Sequence, residues 1–405
     1  MSTDDYVLNA RWLIPIYRAP IHAGWVRIRH GQIVEIGTGR NPEGKDLGDV
    51  ALLPRLINAH THLEFSDCRC PIGEPGMPLA RWIGEVVSAR ATLGESGRDH
   101  AVSVGLSELA ETGTCLAGEI STPPCAYPDR TFTSLDGESE SDFVALVSFA
   151  EVLGLSEERS SERLDAARRH ILGNKDSGIS PHAPYSTSLS TIRSCAMFAR
   201  DQGRPLAMHF AESPDERQLL LGGTGPFVDA LKSIGAWRDT LFPWSAGAYE
   251  NLIDQVSIAP RGLLIHGNDL TDSEIDRIAR NENLTVVYCP RTHAFFGYEN
   301  HPLDRLLSAG VRVALGTDSR ASNPDLNLWS ELQHVLRHRQ DVPTMEVLKM
   351  ATINGAVALG HADLGHLEPG AKALLGFVRS DAANVEQLYT DLSEADFHPL
   401  SDLHR

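Results

Sequence analysis

Residues 52–64 read Leu52-Leu53-Pro54-Arg55-Leu56-Ile57-Asn58-Ala59-His60-Thr61-His62-Leu63-Glu64. A strand-length apolar run ends here in two histidines at i and i+2, whose side chains leave extended backbone on the same side. Both imidazoles can therefore reach one ion at the mouth of a barrel. Taken alone the pair is ambiguous, because two neighbouring histidines serve as readily on a surface or in a satisfied core.

Downstream of Ala51, short apolar runs alternate with helical stretches of ten residues or more, the texture of a parallel sheet wrapped by helices. Strands are predicted over 52–58, 114–120, 143–149, 178–181, 205–210, 262–265, 284–288 and 311–315. Amphipathic helices are predicted over 156–172, 188–202, 272–280 and 327–337, each opening near a Ser, Asp or Asn able to cap it. Eight such units fit an α/β fold, a (β/α)8 TIM-like barrel. Upstream, apolar stretches 6–8, 12–16, 24–28 and 33–36, with a His30-Gly31 turn, predict a small antiparallel sheet. Residues 366–378, with Glu368-Pro369-Gly370 as a turn, predict a strand returning to that sheet. The expected division is therefore 1–52 and 363–405 as a small β-sandwich domain formed by both termini, around a barrel over 53–362. Residues 131–142, rich in Ser, Glu, Asp and Gly, are expected to be a loop.

The balance of 36 Lys and Arg against 54 Asp and Glu, a formal charge of -18, opposes a phosphate-backbone partner. No apolar run reaches the ~20 residues that span a bilayer, and the acidic start Met1 to Tyr6 lacks a secretory pattern. A cytoplasmic protein is expected, with a small molecule as partner, no nucleic acid or membrane, and pairing into a homodimer left open. Its six cysteines show neither zinc-ribbon nor disulfide spacing. Cys68 and Cys70 are read as ordinary loop thiols over a chelating pair.

Three more strand ends carry metal-ligand residue types. Pro205 to Glu212 places His209 in an apolar run with a carboxylate three residues on, Leu263-Leu264-Ile265 is followed by His266, and Val313-Ala314-Leu315-Gly316-Thr317 ends in Asp318. The C-terminal ends of barrel strands are where barrel enzymes hold their catalytic groups. With Ser180-Pro181-His182-Ala183-Pro184-Tyr185, these motifs in this order resemble the amidohydrolase superfamily over nearly the whole chain. Within it they are similar to the mononuclear cytosine, guanine and nucleoside deaminases and the chlorohydrolase-like group. The resemblance implies that His60, His62, His209 and Asp318 bind one divalent metal, zinc before iron(II). It also implies that Glu212 is the general acid and base, that Asp318 accepts a hydrogen bond from the nucleophile, and that His266 stabilises the attacking oxygen or the leaving amine. The fourth strand ends in His182 and offers no lysine to bridge a second metal. Arg55 stands where the family usually has glycine.

A divalent ion lowers the pKa of a bound water from about 15.7 to about 7, and a carboxylate such as Glu212 can carry the proton onward to a ring nitrogen. His62 to Ser66, Trp82 and the Gly316 to Asn323 segment most resemble deaminases of adenosine-type nucleosides, including aminodeoxyfutalosine and S-adenosylhomocysteine deaminases. His182, Trp82, Arg291 and His293 are the candidate substrate contacts. A structural place in a turn, a helix core or a packed lid is the competing reading of each. Ala91 falls where several nucleoside-type members have a ribose-binding glutamate. The expected activity is release of ammonia from a 6-aminopurine nucleoside-type substrate. The alternatives are hydrolysis of another heterocycle (guanine, cytosine, a chlorinated ring or a cyclic amide), and a catalytically inactive binding subunit.

Overall fold

The computed structural model describes residues 5–91, 95–122, 143–299 and 301–404. The N-terminal strands are β1 (Asp5–Leu13), β2 (Ile21–Arg29), β3 (Gln32–Thr38), β4 (Lys45–Asp46) and β5 (Val50–Pro54). The eight barrel strands follow: β6 (Leu56–Thr61), β7 (Thr114–Ser121), β8 (Ala145–Val152), β9 (Ser177–Pro181), β10 (Leu206–Phe210), β11 (Gly262–His266), β12 (Leu284–Tyr288) and β13 (Arg312–Leu315). Two late strands, β14 (Leu375–Arg379) and β15 (Phe397–Pro399), complete the set.

β6 to β13 pair in sequence order, all parallel, and a bridge between Thr61 and Asp318 joins the last strand end to the first. Their residues are almost all buried, as expected of strands covered by helices outside and filled by side chains within. This is the TIM-like barrel the alternation predicts. The strands from both termini form a separate seven-stranded sheet, ordered β15-β14-β5-β1-β2-β3 with β4 also on β1. That sheet, with its own apolar cluster around Leu8, Val26, Ile33, Leu52 and Phe377, is the small accessory domain.

Two expectations need correction. The first two N-terminal stretches form the single strand β1, and β4 and β5 join it in parallel, so the sheet is mixed. The strand expected over 52–58 is two strands going to different sheets. β5 pairs antiparallel with β14, Arg55 intervenes, and β6 opens the barrel. Arg55 is buried, its amide donates to Leu374 O at 2.9 Å, and its guanidinium donates to Gly113 O and Thr114 O at 3.3 and 2.7 Å.

The four predicted helices lie at Glu157–Gly173, Leu189–Gln202, Asp272–Ala279 and Leu328–His338. Ser188 and Asn327 cap theirs through side-chain oxygens, whereas Thr271, rather than Asp272, caps the third in a capping box with Glu274. Ser156 makes no side-chain cap bond. His30 and Gly31, at φ 49° and 71°, form the two-residue turn between β2 and β3. The expected loop over 131–142 lies outside the described residues. Among the described residues no helix is long and apolar enough to cross a membrane.

Candidate active site

The C-terminal ends of β6, β10, β11 and β13 bring His60, His62, His209, His266 and Asp318 together. Asn58 fixes the first of these ends: its Oδ1 accepts from the His60 and Thr317 amides, both at 3.2 Å, and its Nδ2 donates to Thr317 Oγ1 at 2.7 Å. The rings of His60 and His62 lie 4.9 Å apart, and one nitrogen from each of His60, His62 and His209 falls within 4.8 Å of the others. His209 donates from Nδ1 to the His182 carbonyl at 2.8 Å, which leaves Nε2 facing His62 Nε2 at 3.2 Å. Asp318 Oδ2 accepts from Ser322 Oγ at 2.9 Å, and Oδ1 lies 3.6 and 3.7 Å from the Nε2 atoms of His60 and His62.

Burial, aided by neighbouring imidazoles, pushes His60 down to about 3 and His62 and His209 well below their ordinary 6.5. All three are thus neutral, the form that ligates a metal. Both ring nitrogens of His60 are buried without a hydrogen-bond partner, a costly state for a polar group unless a cation receives a lone pair. The donor set fits a divalent cation. Cys68 and Cys70 are free thiols outside this cluster.

Glu212 is buried beside these side chains. Its Oε2 accepts from Tyr185 OH at 3.2 Å and its Oε1 lies 3.5 Å from His266 Nε2. Burial, then the charges of Asp318 and Glu216, push its carboxyl well above the usual range. Ala211, His266 and Asp318 have φ of 49°, 74° and 57°, left-handed values that non-glycine residues adopt at a cost of about 1–2 kcal/mol each. Such strain gathers where side-chain aim matters more than local stability.

A cavity of about 630 Å³ opens from this cluster. His182 and Trp82 both line it. His182 Nδ1 pairs with Ser186 Oγ at 2.6 Å, and burial lowers the ring to about 4. Trp82 is wall and core at once: its indole donates to Ile72 O at 3.0 Å and meets Phe296 edge-on. The structure does not bring Arg291 or His293 to the cavity. The helix Pro290–Phe296 turns Arg291 inward, 2.7 Å from Glu331 and 2.6 Å from Asp325, and His293 packs against Tyr288 and Tyr298.

Sequence reasoning missed an acidic group across the cavity. Thr122 Oγ1 lies 3.2 Å from Glu64 Oε1 and 3.4 Å from Glu151 Oε2, Arg90 lies 3.1 Å from Glu64, and Glu151 lies 4.0 Å from His182 Nε2. The signal was available, since Glu151 sits at a barrel strand end like the other site residues. Ending the third strand at residue 149 hid it.

A family model described as the amidohydrolase family matches residues 51–395. The chain belongs to the amidohydrolase family. This amidohydrolase is 26% identical over 403 residues to a 5-methylthioadenosine/S-adenosylhomocysteine deaminase of Nitratidesulfovibrio vulgaris, covering 93% of this chain and 84% of that protein. It is 29% identical over 321 residues to an aminodeoxyfutalosine deaminase of Deinococcus radiodurans, covering 75% and 72% of the two chains. The amidohydrolase also superposes on the Helicobacter pylori aminofutalosine deaminase solved with methylthio-coformycin. There the TM-score is 0.79 with 97% of each chain covered, and at 23% identity that likeness speaks for the fold.

Proposed function

We propose that this amidohydrolase is a metal-dependent deaminase that releases ammonia from a 6-aminopurine nucleoside-type substrate. The observation that carries the reading is the convergence of three neutral imidazoles and Asp318 beside the buried Glu212 carboxyl. The names of the two relatives support the reaction class. His60, His62, His209 and Asp318 would hold one divalent cation, zinc before iron(II), because three imidazoles and a carboxylate suit zinc's ligand preferences. When bound, the cation supplies Lewis acidity that ionises a water near neutral pH.

The remaining chemistry falls to the chain's own groups. Tyr185 holds one oxygen of Glu212; with a cation offsetting the burial that raises this carboxyl, the other oxygen can take a proton from water and deliver it to the ring nitrogen beside the amino-bearing carbon. The carbon gains the oxygen, the second proton of that water passes through Glu212 to the exocyclic amine, the carbon–nitrogen bond breaks, and ammonia departs. His266 faces Glu212 and aims at the same space. Glu64 and Glu151 share Thr122 as a partner, with Arg90 beside Glu64 and His182 beside Glu151, and both line the cavity as acceptors. They suit the adjacent hydroxyls of a sugar, which supports a nucleoside over a free base and stands in for the glutamate absent at Ala91.

The test is a substrate panel with ammonia detection and metal analysis. About one zinc per chain is expected, with ammonia from adenosine-type nucleosides. Glu212→Gln is expected to retain metal and lose at least about 10²-fold in kcat. Undiminished turnover by that variant, or chloride or carboxylate release in place of ammonia, overturns the reading.

A further inference from the structure

The turn that carries Glu212 is held in an unusual way. The helix Pro214–Gly222 opens at Ser213, whose hydroxyl accepts from the Glu216 amide at 3.3 Å. A glutamate at that third helical position ordinarily returns to the backbone N–H of the capping residue itself, closing a capping box. Glu216 reaches past it. Its Oε1 accepts from the Ala211 amide at 2.9 Å and its Oε2 accepts from the Glu212 amide at 3.3 Å.

The carbonyls of the same two residues are also held. Asp269 N donates to the Ala211 carbonyl at 2.9 Å, and Asn268 Nδ2 donates to the Glu212 carbonyl at 3.0 Å. Glu216 is fully buried and held in turn by Tyr249, whose hydroxyl donates to Oε1 at 3.0 Å. The Arg217 guanidinium lies 4.0 Å over the Tyr249 ring and is anchored by Asp269 and Glu274. Between the two sets of bonds sits Ala211 at φ 49°, a conformation an alanine does not hold by itself.

We propose that Glu216 is a positioning residue for the deamination chemistry, a carboxylate clamp that fixes the left-handed turn at Ala211 and so the aim of the Glu212 side chain. Glu216 does not itself line the cavity and holds only the backbone of the turn, so its effect belongs to the chemical step. This role rests on the reading of Glu212 as the proton carrier.

Glu216→Gln tests it with little change of shape. A glutamine can satisfy Ala211 and Tyr249 through its oxygen, but it turns an NH2 group toward the Glu212 amide. The expected result is a drop in kcat of at least about tenfold with KM within about threefold, since a misplacement of the order of 1 Å can cost about 10²-fold. Metal content should be unchanged, and amide exchange at Ala211 and Glu212 should be faster by hydrogen–deuterium mass spectrometry. Asp215→Asn, which removes a charge from the same helical turn without touching the clamp, should leave kcat alone. Wild-type kcat in Glu216→Gln overturns the proposal, as does a loss that follows melting temperature or metal content, which marks a merely structural residue. Glu212→Gln in parallel separates the two claims. An active Glu212→Gln defeats the functional reading, whereas an inactive one beside a fully active Glu216→Gln defeats the clamp alone.

Discussion

Arg291 looked like a substrate contact because a cation, an imidazole and aromatic rings share one segment, yet its charge is already committed. Glu331 is fully buried and depends on that guanidinium for compensation. Arg291→Ala should cost about 3–5 kcal/mol by leaving an unpaired buried carboxylate, read by denaturant unfolding. KM of the folded fraction should stay within about twofold. Ser322 stands in the opposite situation, since its only described acidic partner is the ligand-type residue Asp318. Ser322→Ala should weaken metal binding about 10–100-fold, measured by chelator competition, with little change in stability. His60, His62, His209 and Asp318 were legible in the sequence because their type and their place at a strand end both carry meaning. Arg291 and His293 were not, because the facing of the seven-residue helix that bears them depends on Glu331, forty positions away.

At the scale of elements, the barrel strands were legible because strands covered on both sides are continuous apolar runs. The same property hid the break between β5 and β6, where apolar residues stand on both sides of Arg55. Glycine, the residue the family usually has there, would remove the two guanidinium bonds to the start of β7. Arg55→Gly should therefore destabilise the fold by about 1–3 kcal/mol, as expected for buried carbonyls losing a charged donor, with the midpoint of denaturant unfolding as the measure. An unchanged or raised midpoint would mean that the backbone prefers glycine here and that the arginine bonds add nothing.

For the whole molecule, the metal-ligand candidates come from β6, β10 and β13, so a bound ion ties the first strand of the barrel to its fifth and its last. Stripping metal with a chelator should lower the melting temperature, and restoring zinc should raise it, the added stability being about 2.7 kcal/mol at a hundredfold excess over Kd. Thiol chemistry should report the same architecture. Burial pushes Cys115 up to about 11 and raises Cys195 and Cys289 as well, so these three should resist alkylation until unfolding, while the exposed Cys70 reacts in the native protein. The pairing of β5 with β14 has one more consequence. During synthesis the N-terminal strands leave the ribosome hundreds of residues before Leu375–Arg379, so the edge of β5 waits unpaired while the entire barrel is made. Truncating a nascent chain just before residue 375 should leave that edge exposed to chaperones or to a neighbouring chain, even with every candidate metal ligand already translated.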